Sequence, residues 1–248
     1  MTALELEQAQ ARAGLTAPVH WHEVTGSTNA LAAELAEAGA PEFTLVGAGH
    51  QTAGRGRRGR TWQDLAGGSL MTSLVLRPTL PVTDLGLLTL LAGAAWAEAA
   101  SAASGLEVRC KWPNDLLIGE EKVGGVLAES SLTDTEVRWV VIGSGVNLVA
   151  PEIEGAVGMG AVDRVALLAG FLTRFRQAYG VPPARLAAEV VARWSKVSAS
   201  LGRLVAAVGV DGERREGLAV SIDRSGRLVL DTPSGTVAVA SDEIEHLR

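Results

Sequence analysis

The run from Leu85 to Ala103 constrains the fold most tightly: it is rich in alanine and leucine and carries Glu98 as its only charge. A helix this apolar on every side has no face to show to water, so it must be wrapped by other elements. It opens after Thr83-Asp84 and is broken by Glu98, which reads as a buried helix rather than a membrane span. The surrounding layers have ample material: 47% of the 248 residues are hydrophobic. That length suits one sizeable domain, or one with a small appendix, and the apolar content excludes global disorder. The start, Met1 to Ala13, is charged and helical in pattern, with no signal-peptide core. A single cysteine, Cys110, excludes an internal disulfide framework and a cysteine-based metal cluster. The chain is expected to be cytoplasmic.

Along the chain, strands are expected at Val19–Val24, Phe43–Ala48, Gly68–Leu76, Leu106–Trp112, Asp115–Ile118, Val123–Ser130 and Val137–Ile142. Thr25-Gly26-Ser27-Thr28-Asn29 turns into a helix over Ala30–Ala38, with Ser27 or Thr28 as a normal N-cap. Leu132 to Glu136 reads as a polar turn between two strands, and Gly143–Asn147 as the end of the second. Helical spacing returns over Val162–Tyr179 and Pro183–Leu201. After residue 200 the pattern changes to short strands at Leu204–Val208, Gly217–Ile222, Arg227–Leu230 and Thr236–Val239. Asp211-Gly212, Arg224-Ser225-Gly226 and Pro233-Ser234-Gly235 split them, as expected of a small antiparallel barrel. The expected units are 1–200 and 201–248.

The chemistry concentrates in glycine- and cation-bearing segments. Gly49 to Arg60 holds Arg55, Arg57, Arg58 and Arg60 in a chain of net charge -6. Neighbouring guanidiniums repel by roughly 0.5–1 kcal/mol per pair even at water-like dielectric. Such a segment reads as a loop that stays loose until an anion arrives, since guanidinium forks suit phosphate and carboxylate oxygens. The competing reading is a solvated basic turn or a nucleic-acid patch, which the net charge opposes. It is not a Walker loop, because the terminal Gly-Lys-Ser/Thr is missing. Lys111-Trp112-Pro113-Asn114-Asp115 sets a lysine at a strand end, with Asn114 and Asp115 either capping the turn or, for Asp115, facing a magnesium ion. Lys122-Val123-Gly124-Gly125 places glycines inside a strand, where a ligand or backbone must come close. Gly143-Ser144-Gly145-Val146-Asn147 is weak evidence alone. No Ser-His-Asp set or histidine pair with metal spacing competes, and His50 stands alone. The chemistry on offer is positioning and charge stabilisation.

As an ordered set, Ser27-Thr28-Asn29, Gly54-Arg55-Gly56-Arg57-Arg58-Gly59, Lys111 to Asp115, Lys122 to Gly125 and Gly143 to Asn147 resemble the biotin–protein ligases. The resemblance is close over Trp21 to Asn147. It implies an α+β fold of the class II aminoacyl-tRNA-synthetase-like type, with a mixed sheet, helices and a C-terminal SH3-like barrel. It also implies that biotin and ATP yield biotinyl-5'-AMP and pyrophosphate, and that a lysine of a carboxylase biotin carrier domain then takes the biotin. Biotin would meet Ser27, Thr28, Asn29, Gln51, Arg55, Gly56, Arg57, Lys122 and Gly124. ATP would meet Arg58, Trp62, Lys111, Asn114, Asp115 and Asn147, with Asp115 near Mg2+. Lys122, Arg57 and Lys111 would carry the catalysis, and Arg60 would face solvent.

Two departures bear on this reading. Asp64 stands where the family often has serine, which touches the loop's closed packing. About twenty residues precede Trp21, too few for the winged helix-turn-helix of bifunctional members, so the monofunctional type is implied, without DNA or membrane partners. The resemblance allows a homodimer as well as a monomer. A lipoate–protein ligase shares the fold, but lipoate lacks the ureido group that suits Ser27, Thr28, Asn29 and Gln51. A nucleic-acid-binding repressor using the arginine loop is the reading from another class, with no base-reading helix to support it.

Overall fold

A computed structural model describes residues 1–134, 136–209, 212–240 and 243–247. Its larger sheet has seven strands: β1 (Val19–Thr25), β2 (Leu45–Gln51), β3 (Ser69–Leu76), β4 (Val108–Lys111), β5 (Asp115–Ile118), β6 (Glu121–Leu132) and β7 (Val137–Asn147). Their order is β1-β2-β3-β7-β6-β5-β4. β1 and β2 run parallel, because α2 (Thr28–Glu37) carries the chain across between them; every other pairing is antiparallel.

The period of two along the central strands divides the sheet into two different faces. On one, Leu70, Leu74 and Leu76 of β3 and Val140, Ile142 and Val146 of β7 pack under α1 (Ala3–Arg12), α3 (Gly86–Ser104), α4 (Arg164–Tyr179) and α5 (Pro183–Lys196). α3 is the apolar run of the sequence. It is long and apolar enough to cross a membrane by composition, yet it is the innermost helix, with Trp96 fully buried. The Trp96 ring stacks on Phe171 of α4 at 4.2 Å, and its Nε1 donates to Ser144 Oγ at 2.8 Å. That bond removes the cost of burying the indole N–H. The other face carries only α2, held through Ala32, Ala36, Val46, Val75, Trp139 and Val141. Beyond α2 this second face is open, and the cleft lies there.

The smaller sheet is antiparallel, in the order β11-β10-β9-β8-β12, from β8 (Leu204–Val208), β9 (Arg214–Ile222), β10 (Leu228–Thr232), β11 (Gly235–Val239) and β12 (Glu243–His246). Four of these follow the sequence pattern. β12 escapes it because its alternating Glu243, Glu245 and His246 give no apolar period beyond Ile244. Of the expected turns, Asp211 and Thr135 lie outside the described residues.

Two other expectations are corrected. Gly143–Asn147 is not a terminating turn: β7 runs on to Asn147, because β3 pairs with that whole stretch and β6 pairs with it as far as Val146. Helix α5 stops at Lys196 rather than reaching Leu201. The following segment runs beside β4, where Cys110 N–H donates to Val197 O and Ala199 N–H to Cys110 O, both at 2.7 Å.

Candidate active site

The open face holds a cleft. Its walls are the start of α2, the glycine/arginine segment, the Lys111–Asp115 turn, β6, β7 and, from the smaller sheet, Glu243 and Ile244.

Ser27 occupies the N-cap position of α2, but its side chain makes no capping bond and lines the cleft instead. Asp163 shows the contrast: it accepts from Val165 N and Ala166 N at the start of α4. Gln51 Oε1 performs the work at α2, accepting from Thr28 N at 2.7 Å and Thr28 Oγ1 at 3.0 Å. Asn29 is buried, with Oδ1 accepting from Ser73 Oγ at 2.6 Å and Nδ2 donating to Glu129 Oε2 at 2.7 Å. Ser27, Thr28, Asn29 and Gln51 are thus fixed polar groups at one end of the cleft.

The glycine/arginine segment is a small hairpin rather than a loose loop. Trp62 N–H bonds Gly54 O, Arg55 bridges Thr61, and Gly56 N–H bonds Arg60 O. A turn over Arg57–Gly59 closes the tip, with Arg58 in the left-handed region at φ 54. Its base is clamped by Asp64, which accepts from Gln51 N and pairs with His50 Nδ1 at 2.9 Å. The departure noted at Asp64 is therefore a brace, and His50 does not stand alone. The hairpin also divides the arginines. Arg55, Arg57 and Arg60 line the cleft, Arg60 while ion-pairing with Glu243 rather than facing solvent alone. Burial and the adjacent Arg58 charge lower the Arg57 pKa from its ordinary value. Arg58 is outside the cleft lining, and its Nη2 donates to Val208 O at 3.2 Å.

At the opposite wall, Lys111 pairs in register with Asp115 across the Trp112-Pro113-Asn114 turn. Trp112 holds that turn to the smaller sheet, its Nε1 donating to Gly226 O and its backbone N–H to Ser200 Oγ, both at 3.0 Å. Lys122 Nζ lies 2.6 Å from Asp115 Oδ1. A bulge in β6 explains its aim: Leu116 pairs with Gly124 but Leu117 with Lys122, which leaves Val123 extra. The extra residue puts Lys122 on the same side as Gly125 and not Gly124. Gly125 accordingly lines the cleft, whereas Gly124, expected from the sequence to meet biotin, is outside its lining.

Two glycines of β7 form the cleft floor. A Cβ at Gly143 would lie 1.9 Å from Asn29 Oδ1, and one at Gly145 would lie 2.5 Å from the Trp62 ring. The Trp62 ring lies against that floor with its Nε1 buried and unpaired among the described residues. Asn147 is buried against Ser69 Oγ at 3.2 Å and stays outside the cleft lining. Asn114 lines it, with Oδ1 at 3.5 Å from Arg57 Nη1. Among the described residues no group of three metal-ligating side chains occurs. Asp115 could thus serve only an ion that arrives with other oxygens, such as magnesium on phosphates.

Sequence reasoning missed Ser73 and Glu129. Both follow from period two: Ser73 shares the open face with Met71 and Val75 of β3, and Glu129 shares it with Gly125 and Leu127 of β6.

The class of protein follows from the stretch that builds most of the seven-stranded sheet and its cleft: residues 21–147 match the model of the biotin/lipoate A/B protein ligase family. The chain belongs to that family. It is 34% identical to the bifunctional ligase/repressor BirA of Bacillus subtilis, over 97% of this chain and 79% of that protein. It is 35% identical to the biotin–[acetyl-CoA-carboxylase] ligase of Paracoccus denitrificans, over 89% of this chain and 97% of that one. The biotin protein ligase of Aquifex aeolicus in complex with biotin and ATP superposes with a TM-score of 0.74 at 24% identity, covering 93% and 99% of the two chains.

Proposed function

We propose that this cleft activates biotin with ATP and passes it to a lysine of a carboxylase biotin carrier domain. The observation that carries the reading is the placement of a fixed polar end, Ser27, Thr28 and Gln51, across one cleft from Lys111 and Lys122. A ureido ring has two donors and one acceptor, and a site built from fixed partners rejects analogues that lack them. Biotin's ring would sit against those groups, with its valeryl chain leading to Lys122.

A carboxylate oxygen of biotin attacks the α-phosphorus, and the bond to the β-phosphate oxygen breaks with loss of pyrophosphate. Lys122 neutralises both anions as they approach, exchanging its bond to Asp115 for bonds to them. Arg57, half-buried at the hairpin tip, and Lys111 offset the charge of the departing phosphates. Asp115, released from Lys122, would face a magnesium ion carried by the nucleotide. That ion would shield phosphate charge. Trp62 would cover the adenine. Arg58 and Asn147 need a change of position to reach ATP. In the second half, the carrier lysine's neutral amine attacks the acyl carbon, AMP leaves with the bonding electrons, and an amide forms.

A ligase that consumes ATP fits a cytoplasmic location, and a division at residue 200 would separate a catalytic unit from an SH3-like one. Pyrophosphate release measured with ATP and either biotin or lipoate tests the reading. Biotin-dependent release is expected; release with lipoate alone would overturn it.

A further inference from the structure

Glu129 is absent from every motif that marks the site, yet it touches two of them at once. Its Oε2 accepts from Asn29 Nδ2 at 2.7 Å, and its Oε1 accepts from Arg55 Nη1 at 3.1 Å. One carboxylate therefore joins the polar end of the cleft to the hairpin that covers it. Asn29 has little freedom of its own. Its oxygen accepts from Ser73, its amide also donates to Leu127 O at 3.4 Å, and Gly143 leaves just enough room for it. The same network continues through Ser73 and Thr28 to Gln51, the last residue of β2 before the hairpin.

We infer that Glu129 is a positioning residue that couples recognition of the ring end of the ligand to closure of the hairpin; this rests on the ligase reading above. A ligand that pulls on Thr28 or Gln51 shifts Asn29 through Ser73, and Asn29 passes the shift to Glu129 and Arg55. In the other direction, an Arg55 held by Glu129 keeps the hairpin across the cleft while the reactive anhydride waits. The Arg55–Glu129 pair is partly exposed, so it adds little to fold stability. Its effect falls on how long ligand is retained. The bond to Asn29, itself buried, carries the effect on affinity.

The two halves separate experimentally. Glu129→Gln keeps an oxygen for Asn29 but loses the charge that holds Arg55. Glu129→Ala loses both. With biotin and ATP as probes, Glu129→Gln is expected to keep the biotin KM within about two-fold while releasing biotinyl-5'-AMP several-fold faster. Glu129→Ala is expected to raise that KM roughly ten-fold as well, the order expected for a lost charge-assisted hydrogen bond. In an Arg55→Ala background, Glu129→Gln is expected to add no further acceleration of release. Wild-type KM and release rate in both variants would overturn the inference, as would an undiminished Glu129→Gln effect without Arg55. Wild-type protein assayed alongside keeps this apart from the reaction itself, since absence of biotin-dependent pyrophosphate release there would strike the ligase reading instead.

Discussion

A methyl group on Gly143 would demand the space of Asn29 Oδ1, only 1.9 Å away. Asn29 cannot yield cheaply, because Ser73 and Glu129 hold its two polar ends. Gly143→Ala is therefore expected to cost about 1–3 kcal/mol of stability and to raise the biotin KM, read by denaturant titration and initial rates. An unchanged KM would place Asn29 outside recognition. Lys122 makes the complementary case. Its side chain is 39% exposed and, among the described residues, bonded to Asp115, so its loss leaves the core untouched. Lys122→Ala should keep the folded spectrum and melting temperature while lowering adenylate formation by on the order of 10²-fold or more. Near-normal adenylate yield would move the role to Lys111. At this scale the sequence is legible wherever residue type is unusual for its setting, as with glycines inside strands or rare lysines. It is silent about Glu129 and Ser73, ordinary residues made special by what lies opposite.

The elements were legible by period, and their ends were not. β7 carries two glycines and a serine that look like a turn, yet neighbours on both sides keep it extended. Only the pairing partner decides such a case. The β6 bulge is likewise hidden, because nothing in Lys122-Val123-Gly124 announces an extra residue. The arginine segment illustrates the same limit. Glycine content and charge suggest looseness, while the cross-hairpin bonds from Gly54 to Trp62 and Gly56 to Arg60 supply order that composition does not reveal. The hairpin also gives Arg57 its place at the tip, beside Asn114. Arg57→Ala is expected to speed loss of biotinyl-5'-AMP about ten-fold or more, a charge-assisted bond being worth roughly 1.5–3 kcal/mol. Stopped-flow release at the wild-type rate would contradict this.

Across the whole molecule, the apolar α3 set the layered core, and the two-faced sheet followed from it. What the sequence leaves out is how the smaller sheet reaches back to the cleft. His246 on β12 is the joint. Arg203 Nη1 donates to its Nδ1 at 3.0 Å, so its Nε2 carries the proton toward Ser200 Oγ, which also accepts from Trp112 N. Burial, then the charges of Lys111 and Arg203, lower the His246 pKa from 6.5 to about 4. The unfolded chain gains a proton below about 6.5 that the folded chain refuses. This contribution to stability is therefore complete above pH 6.5 and is lost as pH falls toward 4. After allowance for solvent screening it is about 1–2 kcal/mol. Denaturation midpoints from pH 7 to 4.5 should fall in the wild type and flatten in His246→Gln; parallel curves would assign the acid loss to other groups.

The pairs Arg55–Glu129, Arg60–Glu243 and Lys122–Asp115 have one further consequence. A bare basic groove recruits mobile counter-ions and gains entropy by shedding them to any polyanion, nucleic acid included. Here the counter-ions are tethered to the chain itself. At these three cations an incoming anion must displace a carboxylate that stays nearby, so fewer ions are set free and ionic strength has less leverage there. Part of the cleft's positive charge is thereby held in reserve for a ligand whose other contacts make the exchange worthwhile.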